Sequence, residues 1–146
     1  MIEAVVLDAG VLGAVSHPRA NPELAQWFND ILASPIEVMI AEITDYEVRR
    51  ELIRADKQAG LRRLDQLKAN LTYLPLSTSV MLRAAQLWAQ ARQQGHPTAD
   101  PKELDCDVIL ASQALEAGAI VVTDNIGHLS LFVEARKWME VTTSDP

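Results

Sequence analysis

Short runs rich in β-branched residues alternate along the chain with longer segments whose apolar positions recur at helical spacing. Ile2 to Leu7 (IEAVVL) predicts a first strand that ends at Asp8. Asn21-Pro22 has the form of an N-cap followed by proline at the first helical position, opening a helix to about Leu32 with Leu24, Trp27, Phe28 and Ile31 on one face. Glu37 to Ile40 predicts a second strand. Thr44-Asp45-Tyr46-Glu47 has capping-box form and predicts the start of an arginine-rich helix, which Gly60 is expected to break before another helix running to about Ala69. Leu71 to Leu76 predicts a third strand, with Pro75 tolerable at a sheet edge. Ser77 or Ser79 opens a helix through Gln94 that Gly95 stops, and the proline-bearing stretch Gly95 to Lys102 (GHPTADPK) reads as loop. Leu104 to Ala117 predicts a helix ending at Gly118, Ala119 to Thr123 (AIVVT) a fourth strand, and Trp138 to Thr142 a candidate fifth.

Strands alternating with helices predict an α/β domain with a mainly parallel sheet covered on both faces, and in such sheets sites gather at the carboxyl ends of the strands. Asp8 closes the first strand, Asp124 follows the fourth, Asp107 lies near the start of the helix feeding it, and Glu47 stands at the start of the helix after the second. Carboxylates brought within a few ångströms repel one another and call for a partner, usually a hard divalent cation such as Mg²⁺. A metal so held lowers the pKa of a bound water and neutralises charge at a phosphoryl centre, which suits phosphodiester hydrolysis. Each position alone also has an ordinary reading: Asp8 and Asp124-Asn125 as turn residues, Glu47 as half of a capping box, Asp105 and Asp107 as partners of a helix dipole. The functional reading rests on their joint placement at one sheet edge.

Composition narrows the class. At 146 residues, 49% hydrophobic and 23% charged, the chain suits one compact domain, residues 1–146, and holds a core without disulfides. A single cysteine, no signal-peptide pattern at the start and no long apolar run predict a cytoplasmic protein with no membrane span. The net charge of −7 argues against a general nucleic-acid binder, yet the average hides an asymmetry. Between Arg49 and Lys68 seven basic side chains face three acidic ones, a local balance of +4 that leaves −11 elsewhere. Such segregation suggests one face for an anionic partner and another region where carboxylates collect. Arg49, Arg50 and Arg54 either contact phosphates or form a solvated helix face with pairing of the Glu51–Arg54 kind.

The segments VVLDAGVL, ITDYEVRREL, LDCDVILASQAL and IVVTDNIGHL, in this order and spacing from about Ile2 to Val141, resemble the PIN-domain family, and within it the VapC-type toxins of toxin–antitoxin pairs. The resemblance implies a three-layer α/β/α sandwich around a mainly parallel sheet of four to five strands. It also implies a Mg²⁺- or Mn²⁺-dependent endoribonuclease, usually a homodimer, silenced by a VapB-like antitoxin. Asp8 matches the family's first carboxylate, Glu47 the second and Asp107 the third. Thr123-Asp124-Asn125 matches the last motif, which His128 completes as Thr-x-Asn-x-x-His. The resemblance thus implies Asp8, Glu47 and Asp107 as catalytic and metal-ligating residues, Asp124 as a fourth such ligand or a variable position of the motif, and Thr123 and Asn125 as their supporting shell; on this reading Arg49, Arg50 and Arg54 are the candidate RNA contacts.

Two positions depart from the family pattern. Ala9 and Gly10 follow Asp8 where a Ser, Thr or Asn is common, which removes a group that orients the carboxylate and puts catalytic efficiency in doubt. Asp105 stands two residues before Asp107, and on a helix would face away from it. Cys106, between two acids, is expected to have a raised pKa and to serve packing. Scattered as they are, His17, His96 and His128 form no zinc site, and Trp27, Trp88 and Trp138 are expected in the core or a dimer contact rather than as base-stacking platforms. The competing readings are a PIN-like RNA- or protein-binding module without activity and a phosphatase of haloacid-dehalogenase type, which expects an acid where Gly10 stands. A dinucleotide-binding module is disfavoured, because no Gly-x-Gly-x-x-Gly follows the first strand.

Overall fold

The computed structural model describes residues 2–95 and 101–143. Strand β1 (Ala4–Leu7) is followed by helices α1 (Ala9–Ser16) and α2 (Pro22–Leu32), then by β2 (Glu37–Ala41), α3 (Glu42–Arg54), α4 (Gln58–Asn70) and β3 (Thr72–Leu74). Helices α5 (Thr78–Gln93) and α6 (Pro101–Ala117) lead to β4 (Ile120–Thr123), and after a 3-10 turn at His128–Leu131 the chain forms β5 (Ala135–Lys137). All neighbouring strands are parallel, in the order β3-β2-β1-β4-β5.

The central strand explains the layering. Val5, Val6 and Leu7 are all fully buried, as a strand covered on both faces requires. Because side chains alternate along a strand, Val5 and Leu7 join Val38, Ile40 and Val122 on one face, against Val11, Leu12 and Val15 of α1, Phe28 and Ile31 of α2, and Leu64 of α4. Ala4 and Val6 join Met39, Ala41 and Val121 on the other, against Leu110, Ala111 and Ala114 of α6. The result is the expected three-layer α/β/α sandwich, with five strands.

Local chemistry set several boundaries where the sequence places them. The Asn21 side chain accepts from the backbone N–H of Glu23 at 2.8 Å, a cap contributing about 1 kcal/mol, and Pro22 begins α2. Ser77, not Ser79, caps α5, accepting from Val80 N–H at 3.1 Å. Gly118 ends α6 at φ +66°.

Other expectations are corrected. Thr44 is not a cap: α3 starts at Glu42, and the Thr44 hydroxyl donates back to the Ala41 carbonyl at 2.9 Å. The break between α3 and α4 falls at Asp56, in the left-handed region at φ 53°, while Gly60 sits inside α4. Gly60 is there for closeness: a Cβ would lie 2.8 Å from the Leu52 side chain, so the glycine lets α4 approach α3. The fifth strand is Ala135–Lys137, and Trp138–Glu140 forms a 3-10 turn instead. Helix α1 lies in a stretch that carries no helical signal in the sequence. Of the predicted loop, residues 96–100, including His96, lie outside the described residues, while Pro101 and Lys102 belong to α6. Trp27 and Trp138 pack together with centroids 5.9 Å apart, and Trp88 lies partly exposed under the Arg92 guanidinium. Among the described residues no helix is long and apolar enough to cross a membrane.

Candidate active site

The carboxyl ends of β1 and β4 lie side by side, with Leu7 paired to Val122, so Asp8 and Thr123 emerge together at one edge of the sheet. The Asp8 backbone N–H continues the ladder to the Val122 carbonyl at 2.9 Å, and the side chain caps α1 by accepting from Val11 N–H at 2.8 Å through Oδ1. That leaves Oδ2, which accepts from the Thr123 hydroxyl. A hydroxyl has one proton, and here the carboxylate takes it. The Thr123 oxygen in turn accepts from Asn125 N–H at 3.0 Å, which holds the turn after β4. Asp8 is therefore held at both oxygens, by Val11 N–H with the Gly10 backbone beside it and by the Thr123 hydroxyl. The orienting hydroxyl missed at Ala9 and Gly10 comes from Thr123.

Glu47 reaches the same place from α3. It lies in the second turn, not at the cap, because the helix starts earlier than the capping-box pattern implies. Helix α6 contributes Cys106 and Asp107, and the segment after β4 contributes Asp124, Asn125 and His128. Together with Arg50 these residues line a cavity of about 540 Å³. Asp105 is exposed and lies outside it. A larger groove of about 960 Å³ adjoins along α1, α3 and the start of α4, sharing Gly10, Glu47 and Arg50.

The electrostatics record the crowding of negative charge. Burial pushes the Glu47 carboxyl above the ordinary range, with Asp107 and Asp8 adding to the rise, against the Arg50 charge and a hydrogen bond with Cys106. Asp8 is raised too, first by burial and then, in part, by Asp124, although its bonds to Thr123 and Val11 favour the ionised form. The Cys106 thiol is pushed up to about 11, by burial first and by Glu47 next, so the rise owes more to enclosure than to its acidic sequence neighbours. Its hydrogen bond with Glu47 places this thiol within the site, a position that sequence spacing alone did not reveal.

A hard divalent cation fits the cluster in donor type and in charge. The acidic donors are carboxylate oxygens from four separate segments around one cavity, and two of them bind protons more tightly, through burial first and neighbouring carboxylates second. Among the described residues no three acidic, thiol or imidazole side chains are gathered closely enough to hold a metal as they stand. Asp8, Glu47, Asp107 and Asp124 are the groups that would hold it, with Asn125 beside them.

The three arginines of α3 have different surroundings. Arg49 bridges the buried Asp45 at 3.0 Å and Asp65 at 2.8 Å, tying α3 to α4, and Lys68 adds a contact to Asp45 at 3.7 Å. Arg54 pairs with Glu51 at 2.9 Å on the exposed face, as the solvated-face alternative expected. Arg50 lines the carboxylate cavity, with its guanidinium 5.0 Å from the centre of the Tyr46 ring.

Comparison with known proteins bears on the fold and the family. No curated protein matches the chain. The crystal structure of VapBC2 from Rickettsia felis, bound to a DNA fragment from its promoter, is similar at a TM-score of 0.76 and 16% identity, covering 92% of this chain and 98% of that one. FitAcB from Neisseria gonorrhoeae is similar at 0.72 and 20% identity, over 94% and 99% of the two chains. The Mycobacterium tuberculosis toxin VapC20, described as cleaving the sarcin–ricin loop, is similar at 0.57 and 10% identity, over 80% and 86%. The model of the PIN domain family matches residues 5–130, which contain all four site carboxylates, and the chain belongs to that family.

Proposed function

We propose that this protein is a metal-dependent endoribonuclease, the toxin of a VapBC-like pair, which hydrolyses RNA phosphodiester bonds. The observation that carries the reading is the convergence of Asp8, Glu47, Asp107 and Asp124 from four separate segments on one cavity at the carboxyl edge of the parallel sheet. A bound Mg²⁺ or Mn²⁺ ion would supply an acidified water and neutralise charge at the phosphorus. Asp8 and Asp107 would anchor it, with Glu47 ligating or positioning the water and Asp124 or Asn125 completing the shell. Glu47 faces the cavity and can take a proton from a water held there. Arg50, facing the cavity, can hold a phosphate oxygen as a charged hydrogen-bond donor.

Support for RNA as the substrate and for a VapB-like antitoxin as the partner comes from the family and from similar solved structures: VapBC2 is bound to a fragment of its promoter DNA, and VapC20 is described as a sarcin–ricin-loop-cleaving toxin. A cytoplasmic homodimer belongs to the same reading, and the apolar positions Leu82 and Trp88 exposed on α5 suit a contact between copies. The inactive-module alternative drew its strength from the residues after Asp8. The Thr123 hydroxyl supplies what they lack and favours the enzyme. The phosphatase alternative has no support from the family match.

The test is incubation of a mixed RNA pool with antitoxin-free protein in Mg²⁺ or Mn²⁺, in EDTA, and with an Asp8→Asn/Asp107→Asn variant. Cleavage that needs the ion and is lost in the variant is the expected result. Folded protein that cuts nothing with either ion overturns the enzymatic reading in favour of a binding module.

A further inference from the structure

Helix α3 carries a feature that the carboxylate chemistry does not use. Tyr46, directly before Glu47, is 54% exposed, although a tyrosine ring is largely apolar and a small domain ordinarily covers most of it. One turn later Arg50 lies with its guanidinium 5.0 Å from the ring centre, and its hydrogen bond with Tyr46 and the Glu47 charge both strengthen its hold on its proton. The same Arg50 lines the cavity that holds Asp8, Glu47 and Asp107. Ile53, 60% exposed a further turn along, extends an apolar edge from the ring. A planar cation lying on an exposed aromatic ring, at the rim of a cavity suited to phosphate chemistry, offers two flat surfaces and a positive charge in one place.

We propose that Tyr46 and Arg50 form a stacking subsite for an unpaired nucleobase beside the phosphate that is cut. This rests on the ribonuclease reading above and adds to it the residues that hold a base next to that phosphate. Three observations converge on it. The ring and the guanidinium present the surfaces on which unstacked bases settle, since bases stack on aromatic side chains and on arginine planes alike. The charge complements a phosphodiester, and it lies in the basic stretch Arg49 to Lys68 of an otherwise acidic chain. Continuity is given by Arg50, which belongs to both the ring and the cavity, so a base on the ring and a phosphate among the carboxylates can be neighbours on one strand. Arg49 and Arg54 are engaged with carboxylates, which leaves Arg50 as the α3 arginine turned to this task. Bases inside a duplex have no free face to offer, so the subsite favours loops and unpaired ends.

The test is fluorescence anisotropy with a labelled 12-nucleotide single-stranded RNA of mixed sequence, and with the same sequence as a duplex, in EDTA so that binding is read apart from cleavage. Tyr46→Leu is expected to weaken single-strand binding by about fivefold to a hundredfold, as loss of one stacked base does. Tyr46→Phe and Tyr46→Trp should stay within about twofold of the wild type, and duplex binding should not change with any of the three. Arg50→Gln should weaken both probes and reduce the slope of log affinity against log salt by about one. Ultraviolet crosslinking of a 4-thiouridine strand should label the peptide that contains Tyr46. Equal single-strand affinity for Tyr46→Leu and wild type overturns the proposal. So does a Tyr46→Leu variant that alters the sedimentation coefficient and leaves RNA affinity intact, because the ring then serves a contact between copies. Wild type that binds single strands through Tyr46 yet cuts no RNA in Mg²⁺ or Mn²⁺ keeps the subsite and removes the nuclease reading; cleavage with KM unchanged in Tyr46→Leu does the reverse.

Discussion

The Thr123 hydroxyl donates its proton to Asp8 across the junction of β1 and β4, so a residue 115 positions away in sequence orients the first carboxylate of the site. The parallel register makes this possible, because Leu7 lies opposite Val122 and the next residue of each strand points to the same edge. Thr123→Val keeps the shape of the side chain and removes the proton. Loss of a group that orients a metal ligand typically costs about 10- to 100-fold in metal affinity or activity, and this variant is expected in that range while Thr123→Ser keeps most of the rate. Cleavage rates of the two variants, measured beside their circular dichroism spectra, decide it; a fully active Thr123→Val removes Thr123 from the site.

Glu47 and Asp8 give the metal-free protein a characteristic pH dependence. Both carboxyls are raised, burial being the first cause for each. A carboxyl raised in the folded state binds its proton more tightly there than when unfolded, so its contribution to stability is full in acid, below the ordinary value of about 4, and is lost as pH climbs through the raised value. The contribution of these two carboxyls to the stability of the metal-free protein should therefore fall as pH rises above the ordinary carboxylate range. Glu47→Gln removes one of the repelling charges and should raise Tm in EDTA at pH 7, and Mn²⁺ should then stabilise the wild type more than the variant. Thermal scans at pH 5 and pH 7 check this. A variant less stable than wild type in EDTA at pH 7 shows that Glu47 is held by attraction instead.

Arg49 and Arg54 should separate cleanly by what they lose. Arg49 neutralises Asp45, which is only 6% exposed, and removing it leaves a buried carboxylate with Lys68 at 3.7 Å as its remaining cation. Breaking a buried pair costs roughly 3–5 kcal/mol; with Lys68 remaining and Arg49 partly exposed, Arg49→Gln is expected at about 2 kcal/mol. Arg54→Gln breaks an exposed pair and should change stability by less than about 1 kcal/mol. Urea unfolding of the two variants checks the contrast, and equal losses would contradict the network drawn around Asp45.

Asp56 joins α3 to α4 at φ 53°, a conformation that costs an ordinary residue about 1–2 kcal/mol and glycine almost nothing. Some of that relief is returned as unfolded-state entropy and as the lost Asp56 bond to Gln58 at 2.9 Å. Asp56→Gly is accordingly expected to stabilise by about 0.5 kcal/mol. A destabilised Asp56→Gly, seen by urea unfolding, would show that the Asp56 side chain matters more than its backbone.

The elements legible in the sequence were those whose signals are local. Asn21-Pro22 marks the start of α2 because an N-cap and an N1 proline act within one turn, and IEAVVL reads as a buried central strand because both of its faces are apolar. Helix α1 (AGVLGAVS) escaped notice because it carries no charge and two glycines, so no polar face contrasts with its buried Val11, Leu12 and Val15. The pattern Thr44 to Glu47 satisfies a capping box, yet the helix begins two residues before it, where Glu42 extends the end of β2. Strand β5 (ARK) pairs with β4 as an edge, where backbone bonds suffice, while the more strand-like Trp138 turns away to pack on Trp27. The four carboxylates were marked by their place after strands and at helix starts. The roles of Thr123, Cys106 and Tyr46 depend on which segments meet in space, and no local spacing carries that.

The most direct measurement of the central claim is calorimetric titration of Mn²⁺ into EDTA-stripped, dialysed protein, wild type beside Asp8→Asn/Asp107→Asn. A carboxylate cluster that works as a metal centre predicts saturable binding by the wild type that is lost in the double variant while its fold persists. Identical isotherms for the two proteins, or no binding by either, would contradict it.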